Sequence, residues 1–316
     1  MKKVLLATSM LVAATGFAAA EVTLSGDGRM GVVYNGDDVN FSSRIRAKFN
    51  LSGESDSGLT FGGAFRADQA TGAKDGNAAS VFVSGAFGTI EMGDTVGAAE
   101  AVLFDLPEVG YTDLDGAAIT GASGGNEGDF LTGDGADGIT AAGNPSALYT
   151  YSFNDFTVAA SLTDGHKAQG SVDDDQAYAL GVKYAFGDYT IGAAYEVLDY
   201  ATPGAKNGQA AWIGGTAKFN DTTVYALYGK YRHTAGDKFG WDDQLGLGVS
   251  SKFDALTVNA YVKRTSFTVA GVDDVYNYGV GAEYNLGGGA KVVGGIADSD
   301  VAGQKAIADL GLKFSF

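Results

Sequence analysis

The chain has 316 residues, with 49 Gly, 16 Tyr, 18 Phe, three Pro and no Cys; this fits a helical globule poorly and rules out a disulfide scaffold. A formal charge of −17 argues against nucleic acid as a partner, because phosphate binding needs clustered Lys and Arg. No stretch reaches the roughly twenty apolar residues of a membrane-spanning helix, so hydropathy alone reads as soluble, and soluble all-β secreted proteins share this composition.

Residues 1–20 read as a targeting segment. Lys2 and Lys3 precede an apolar run from Val4 to Val12, and Ala18, Ala19 and Ala20 offer a small-residue cleavage site before Glu21. Export through the periplasm is the expectation, with residues 21–316 as the mature chain; loss of the two lysines moves the formal charge from −17 to −19. From Glu21 onward, apolar and polar residues alternate as in half-buried strands. Val22, Leu24, Met30, Val32 and Tyr34 share one face, with Thr23, Ser25, Asp27 and Arg29 on the other. After a turn cluster at 35–38, Phe41, Ile45, Phe49 and Leu51 oppose Arg44, Arg46 and Lys48. Next, Leu59, Phe61 and Phe65 oppose Thr60, Arg66 and Asp68. The last strand sets Leu310, Leu312, Phe314 and Phe316 against Asp309, Lys313 and Ser315.

One stretch interrupts the alternation. Residues 93–144 hold ten carboxylates (Asp94, Glu100, Asp105, Glu108, Asp113, Asp115, Glu127, Asp129, Asp134 and Asp137) and no Lys or Arg. Its first half carries Val102, Leu103, Phe104, Leu106, Val109 and Tyr111, which can anchor it to a wall. A connection of that length is functional or disordered far more often than incidental. An acidic, partly apolar segment in an otherwise all-strand chain predicts a loop folded into a barrel.

A repeated turn sets the strand count. Short turns follow an aromatic residue at Phe87–Ile90, Phe153–Phe156, Phe186–Tyr189, Phe219–Thr222 and Phe253–Leu256, with a weaker form after Leu286 and an earlier one between Leu51 and Leu59. From Phe153 to Leu286 the leading residues are 33, 33, 34 and 33 apart. Seven short turns on one rim, with both termini there, give eight hairpins and sixteen strands; one missed or false turn makes fourteen or eighteen. Long connections at the other rim complete the pattern of an outer-membrane barrel. A propeller or solenoid could share such a period, but charge sidedness decides. Arg29, Arg44, Arg46, Lys48, Arg66, Lys183, Lys218, Lys252, Lys263, Lys291 and Lys313 all oppose the aromatic face. Lys230, Arg232 and Arg264 break the rule near loop ends, where the phase is expected to change. Nothing in the sequence covers the apolar face, so lipid must, and only a closed barrel satisfies its backbone there. The predicted fold is an all-β transmembrane antiparallel barrel of 16 strands, its long third loop (about 95–145) folded into the lumen.

Several motifs have plainer explanations. Gly26, Gly28 and Gly31 spell G-x-G-x-x-G, but inside an alternating strand rather than between strand and helix, so they signal no dinucleotide. His166 and His233, the only histidines, fall in expected loops, and without Cys no nucleophile–base pair assembles. Asp129, Asp134 and Asp137, spaced by glycines, suit a flexible calcium site; they lack EF-hand spacing, and a solvated acidic loop accounts for them equally. The basic cluster Arg44, Arg46, Lys48 and Arg66 needs counter-charge, and the acidic segment is its largest supply.

These residues resemble a known family. Glu21 to Met30, the run from Ile90 to Asp94 leading into GAAEAVLFDLPEVGYTDLD, and Asp309 to Phe316 are similar to the sixteen-stranded general-diffusion porins of alphaproteobacterial outer membranes, across the mature length. The resemblance implies a homotrimer in Gram-negative outer-membrane lipid and lipopolysaccharide, passing small hydrophilic solutes. It implies a constriction with Glu100, Asp105, Glu108, Asp113 and Asp115 on the loop, facing Arg29, Arg44, Arg46 and Arg66 on the wall; Lys48 joins them by its strand face. It implies no required cofactor beyond calcium at loop sites, with Glu100, Asp105, Asp129, Asp134 and Asp137 as candidate ligands. The run GASGGNEGDFLTGDGADG departs from the family pattern. Two other functions compete with a diffusion pore. A substrate-specific channel predicts an aromatic slide, for which Tyr225 and Tyr261 are candidates, and a secreted adhesin or structural β-protein predicts solubility without detergent.

Overall fold

A computed structural model of the chain describes residues 21–68, 77–114, 130–131, 146–163, 176–200, 206–233 and 240–316. The readings made for residues 1–20, Asp115, Asp129, Asp134, Asp137 and His166 lie outside those residues.

Alternation of period two forces successive side chains to opposite faces, and sixteen such segments pair in sequence order. They are β1 (Glu21–Tyr34), β2 (Val39–Glu54), β3 (Thr60–Asp68), β4 (Asn77–Gly85), β5 (Gly88–Gly93), β6 (Ser146–Phe153), β7 (Phe156–Thr163) and β8 (Gln176–Phe186). The second half comprises β9 (Tyr189–Asp199), β10 (Gly208–Phe219), β11 (Thr222–Arg232), β12 (Trp241–Phe253), β13 (Leu256–Phe267), β14 (Val275–Gly287), β15 (Ala290–Ser299) and β16 (Ile307–Ser315). Each strand is antiparallel to its neighbours, and β1 also pairs with β16, in the register Arg29 to Lys313 and Gly31 to Gly311. The sheet is therefore a closed barrel. Closure pairs the backbone groups that an open edge would leave facing lipid.

Turn chemistry explains the short rim. Phe153 pairs with Phe156, Phe219 with Thr222 and Phe253 with Leu256, each across two residues. Asn154, Asn220 and Asp254 lead these turns at φ of 51°, 55° and 53°, the left-handed conformation that tight hairpins demand and Asn and Asp tolerate. The turn expected at Phe87–Ile90 lies two residues earlier: Gly85 pairs with Gly88, so Phe87 is inside the turn. Gly88, at φ 103°, supplies the conformation that Phe87 would resist.

The outer face is apolar and banded. Leu24, Phe41, Ile45, Leu180, Ile191, Leu247 and Leu310 are all exposed on it. Near the short turns, Tyr151, Phe153, Phe156, Tyr184, Phe186 and Tyr189 form a run of stacked rings with centroids 4.5–6.0 Å apart. Tyr178, Tyr195, Tyr228, Tyr276 and Tyr278 are exposed toward the other rim. Two aromatic belts flanking an apolar band are what a barrel in a bilayer presents. The glycines of the G-x-G-x-x-G run fit here as well. A Cβ at Gly28 would lie 2.3 Å from the Phe314 ring, and one at Gly26 would lie 3.0 Å from the Phe316 ring.

The phase change expected at Lys230 and Arg264 does not occur. β11 pairs without irregularity through Lys230, which stays on the outer face with Tyr228, and Arg264 shares the outer face of β13 with Val262. Ion pairing replaces the phase change. Lys230 Nζ lies 2.5 Å from Asp242 Oδ1, and Arg264 pairs with Asp243 and, at 3.7 Å, with Asp274. The charges sit at the long-loop rim, beyond the apolar band.

Candidate pore constriction

The buried apolar core lies inside the barrel, between its wall and the segment that follows β5. Residues 98–102 form a short helix, α1 (Ala98–Val102). Ala98, Ala99 and Val102 pack with Leu103, Leu148, Ala159, Ala179 and Trp212 in one cluster. Leu106, Val109 and Leu114 pack with Tyr261, Ala297 and Ile307 in a second. The segment therefore travels around the inner wall from β7 to β16.

Glycine makes the track it follows. A Cβ at Gly181 would stand 2.5 Å from Val102 Cγ2, and one at Gly192 would stand 2.5 Å from the Val102 carbonyl oxygen. Further round, Cβ atoms at Gly246, Gly248 and Gly295 would meet Leu106 at 2.9 Å, Pro107 at 2.4 Å and Gly110 N at 2.7 Å. At Gly311 the Tyr111 ring would lie 3.0 Å away. Real Cβ atoms do not fit at such distances, so the loop backbone lies against a wall stripped of side chains.

Hydrogen bonds pin the segment along this track. Ala98 N–H donates to Ser161 Oγ at 2.9 Å, Asn259 Nδ2 donates to the Glu108 carbonyl at 2.8 Å, and Tyr261 Oη donates to the Leu114 carbonyl at 3.3 Å. Asp309 accepts from the backbone N–H groups of Tyr111 and Thr112 at 3.1 and 2.7 Å. Lys313 Nζ reaches Glu108 Oε2 at 3.1 Å. At residues 130–131, Leu131 N–H and Trp212 Nε1–H both donate to Glu196 Oε2, at 3.1 and 2.6 Å. Glu196 is fully buried, and these bonds satisfy a carboxylate that would otherwise be costly to hold there. Phe130 stacks on Trp212, with ring centroids 4.7 Å apart.

The facing wall, β1 to β3, is built from charge. Arg29 pairs in register with Arg44, and Lys48 with Arg66; like charges directly opposite are destabilising. Between those rows runs another, Asp27 to Arg46 to Asp68. Arg44 Nη2 lies 3.2 Å from Asp27 Oδ1, while Arg46 Nε and Arg66 Nε lie 3.1 and 2.9 Å from the two oxygens of Asp68. Asp68 is 8 % exposed. Counter-charge for the arginines thus comes first from the wall itself, a correction to the expectation that the acidic segment supplies it. The reason is strand geometry: Arg66 and Asp68, two apart, share a face. Arg29 does touch the segment: Nη1 donates to the Tyr111 carbonyl at 3.3 Å, and the guanidinium lies 5.9 Å from the centre of the Tyr111 ring.

Of the expected loop acids, Glu108 is exposed beside Lys313, and Asp113 takes a left-handed φ of 57°. Glu100 lies in α1 and Asp105 just beyond Phe104. Among the described residues no group of three His, Cys, Asp or Glu side chains could hold a metal, so Glu100 and Asp105 form no such centre there. The aromatic slide is not built: Tyr261 is buried beneath the segment, and Tyr225 meets Phe104 edge-on at 5.5 Å. Sequence reasoning missed Asp27, Asp68, Glu196 and Asp309 as site residues. Each is a lone acid on an inward strand position, and that was the available signal.

A closed sixteen-strand barrel with a lipid-facing apolar band, a charged lumen and a segment laid inside it defines a transmembrane β-barrel channel. A family model described as Gram-negative porin matches residues 7–304, and the chain belongs to that family. A porin from Rhodobacter capsulatus is 46 % identical over 322 aligned positions, covering 94 % of this chain and all of the relative. Among solved structures, a refined porin is 44 % identical with a TM-score of 0.81, covering 94 % of this chain and all of that one. A mutant of Rh. blastica porin follows at 26 % identity, TM-score 0.69 and the same coverage. The chain is an outer-membrane porin, a channel for passive diffusion.

Proposed function

We propose that small hydrophilic solutes and ions cross this barrel through a constriction between the β1–β3 wall and the segment at 98–114. Arg29, Arg44, Arg46, Lys48 and Arg66 would line one side, and Glu100, Asp105, Glu108, Asp113 and Asp115 the other. The observation that carries this reading is the glycine track, since a wall without side chains has a ready purpose if a loop must lie flat and leave a lumen. The opposed charges would orient dipolar solutes and set ion preference. A homotrimer, removal of residues 1–20 during export through the periplasm, and contact with lipopolysaccharide belong to the same proposal. Calcium at the acidic segment is a further element, tested by conductance before and after chelation. The test of the whole is purification from outer membranes in detergent, followed by single-channel recording in a planar bilayer. Discrete, ohmic steps with graded loss of permeation as neutral solutes grow would support a diffusion pore. Saturable passage of one solute class would favour a specific channel, and recovery of the chain without detergent would overturn both.

A further inference from the structure

The inner face of β16 presents Asp309, Gly311 and Lys313 at positions i, i+2 and i+4. All three engage the same five residues of the segment. Lys313 holds the Glu108 carboxylate, the site of Gly311 is covered by the Tyr111 ring, and Asp309 takes the backbone at 111 and 112. Thr112 adds its hydroxyl, which donates to Asp309 Oδ2 at 2.6 Å. Both carboxylate oxygens are thus occupied, by three donors from two consecutive residues. Charge-assisted bonds of this kind are shorter and stronger than neutral ones, and here the acceptor is 6 % exposed. The chain must turn sharply to present those amides. Gly110 does so at φ 86°, and a Cβ there would lie 2.5 and 2.7 Å from the two Asp309 oxygens. Leu114 N–H closes the turn on the Val109 carbonyl at 2.7 Å. Tyr111, fully buried, offers its carbonyl to Arg29 on the adjoining strand.

We infer that Asp309 is the positioning residue that fixes the open width of the channel. It acts through the amides of Tyr111 and Thr112, locking a turn that carries Glu108 and Asp113 against the wall. The inference rests on the constriction reading above and goes further, because it names what keeps a charged loop still in a transmembrane field. A segment bearing only acids between residues 94 and 114 is pushed by any applied voltage. Released from Asp309, it would move toward the positive side and close the channel at one polarity more readily than at the other. The loss of a merely stabilising contact has no reason to depend on the sign of the voltage.

The experiment compares wild type with Asp309→Ala, Asp309→Asn, Thr112→Val and Gly110→Ala in planar bilayers at low salt. Asp309→Ala should raise open-channel current noise severalfold and lower the closing voltage at one polarity only. Asp309→Asn, which keeps one acceptor oxygen, should fall between Asp309→Ala and wild type, and Thr112→Val should show the smallest change. Gly110→Ala tests the same clasp from the loop side: with the carboxylate intact but sterically opposed, it should reproduce the noise and polarity dependence. Heat-induced loss of the folded band on gels, measured on every variant, reports barrel integrity separately and should remain close to wild type. If wild type conducts while Asp309→Ala and Gly110→Ala match it in noise, closing voltage and polarity, the inference is overturned. Equal lowering at both polarities overturns it too. A wild type that forms no channel would instead remove the constriction reading beneath it.

Discussion

The two sides of the lumen solve opposite problems. Along β1 to β3 the wall keeps long charged side chains and interleaves Asp27 and Asp68 between rows of Arg and Lys. From β8 to β16 the wall gives up side chains at Gly181, Gly192, Gly246, Gly248, Gly295 and Gly311, so that another piece of chain can lie there. The first wall acts through field, the second through space. Substitutions on one should therefore alter selectivity with little change in size, and substitutions on the other should do the reverse.

The largest effect tests whether the asymmetry is confined to the interior. Leu312→Arg on β16 and Ile45→Arg on β2 both place a charge on the lipid face, behind different inner walls. Each should destabilise the barrel by about 2–4 kcal/mol if near the bilayer midplane, less toward the interface. Refolding titrations into lipid vesicles measure this, and a large difference between the two would mean the outer faces are not equivalent. Next comes the glycine wall. Gly295→Val inserts a branched side chain where even a Cβ would be 2.7 Å from Gly110 N. Overpacking of this kind costs about 1–3 kcal/mol, and the segment should lift into the lumen. Single-channel conductance should fall while the reversal potential hardly moves. A variant with unchanged conductance would break the claim that the glycines hold space for the loop.

The smallest effect lies at the rim, outside both walls. Lys305, after β15, pairs with Asp37, after β1, and the hydrogen bond and charge of Asp37 raise the Lys305 ammonium above its ordinary pKa. A raised folded-state value means that the pair contributes fully below the ordinary lysine pKa and is lost as pH rises through the raised one. Both side chains are exposed, so salt screens the pair and the contribution is small. Asp37→Asn should abolish the alkaline change in barrel stability without altering conductance at neutral pH, as parallel melting and bilayer records would show.

Much of this was legible in the sequence because strands encode themselves locally. Phe153 and Phe156, or Phe253 and Leu256, mark a turn within four residues, and alternation assigns faces without knowledge of neighbours. Registration across strands is different information. That Gly295 lies under Gly110, or that Asp309 meets Thr112 across 197 positions, depends on how far round the barrel the loop travels. Inward glycines looked merely small, and lone inward acids such as Asp27, Asp68 and Glu196 looked like ordinary polar positions. Arg66 and Asp68 could have been paired from their spacing alone. The size of the acidic segment drew the counter-charge assignment away from the nearer partner.

The central claim is that charges on the β1–β3 wall and on the segment at 98–114 face a common water-filled constriction. Reversal potential across a salt gradient tests it most directly, in wild type, Arg44→Gln with Arg46→Gln, and Glu108→Gln with Asp113→Asn. Fixed charge at the narrowest section sets which ions pass. Loss of the arginine pair should move preference toward cations, and loss of the acid pair should move it toward anions. Both shifts should shrink between 0.1 M and 1 M salt, as the screening length falls from about 10 Å to about 3 Å. Reversal potentials that stay at the wild-type value in both double variants at low salt would contradict the account.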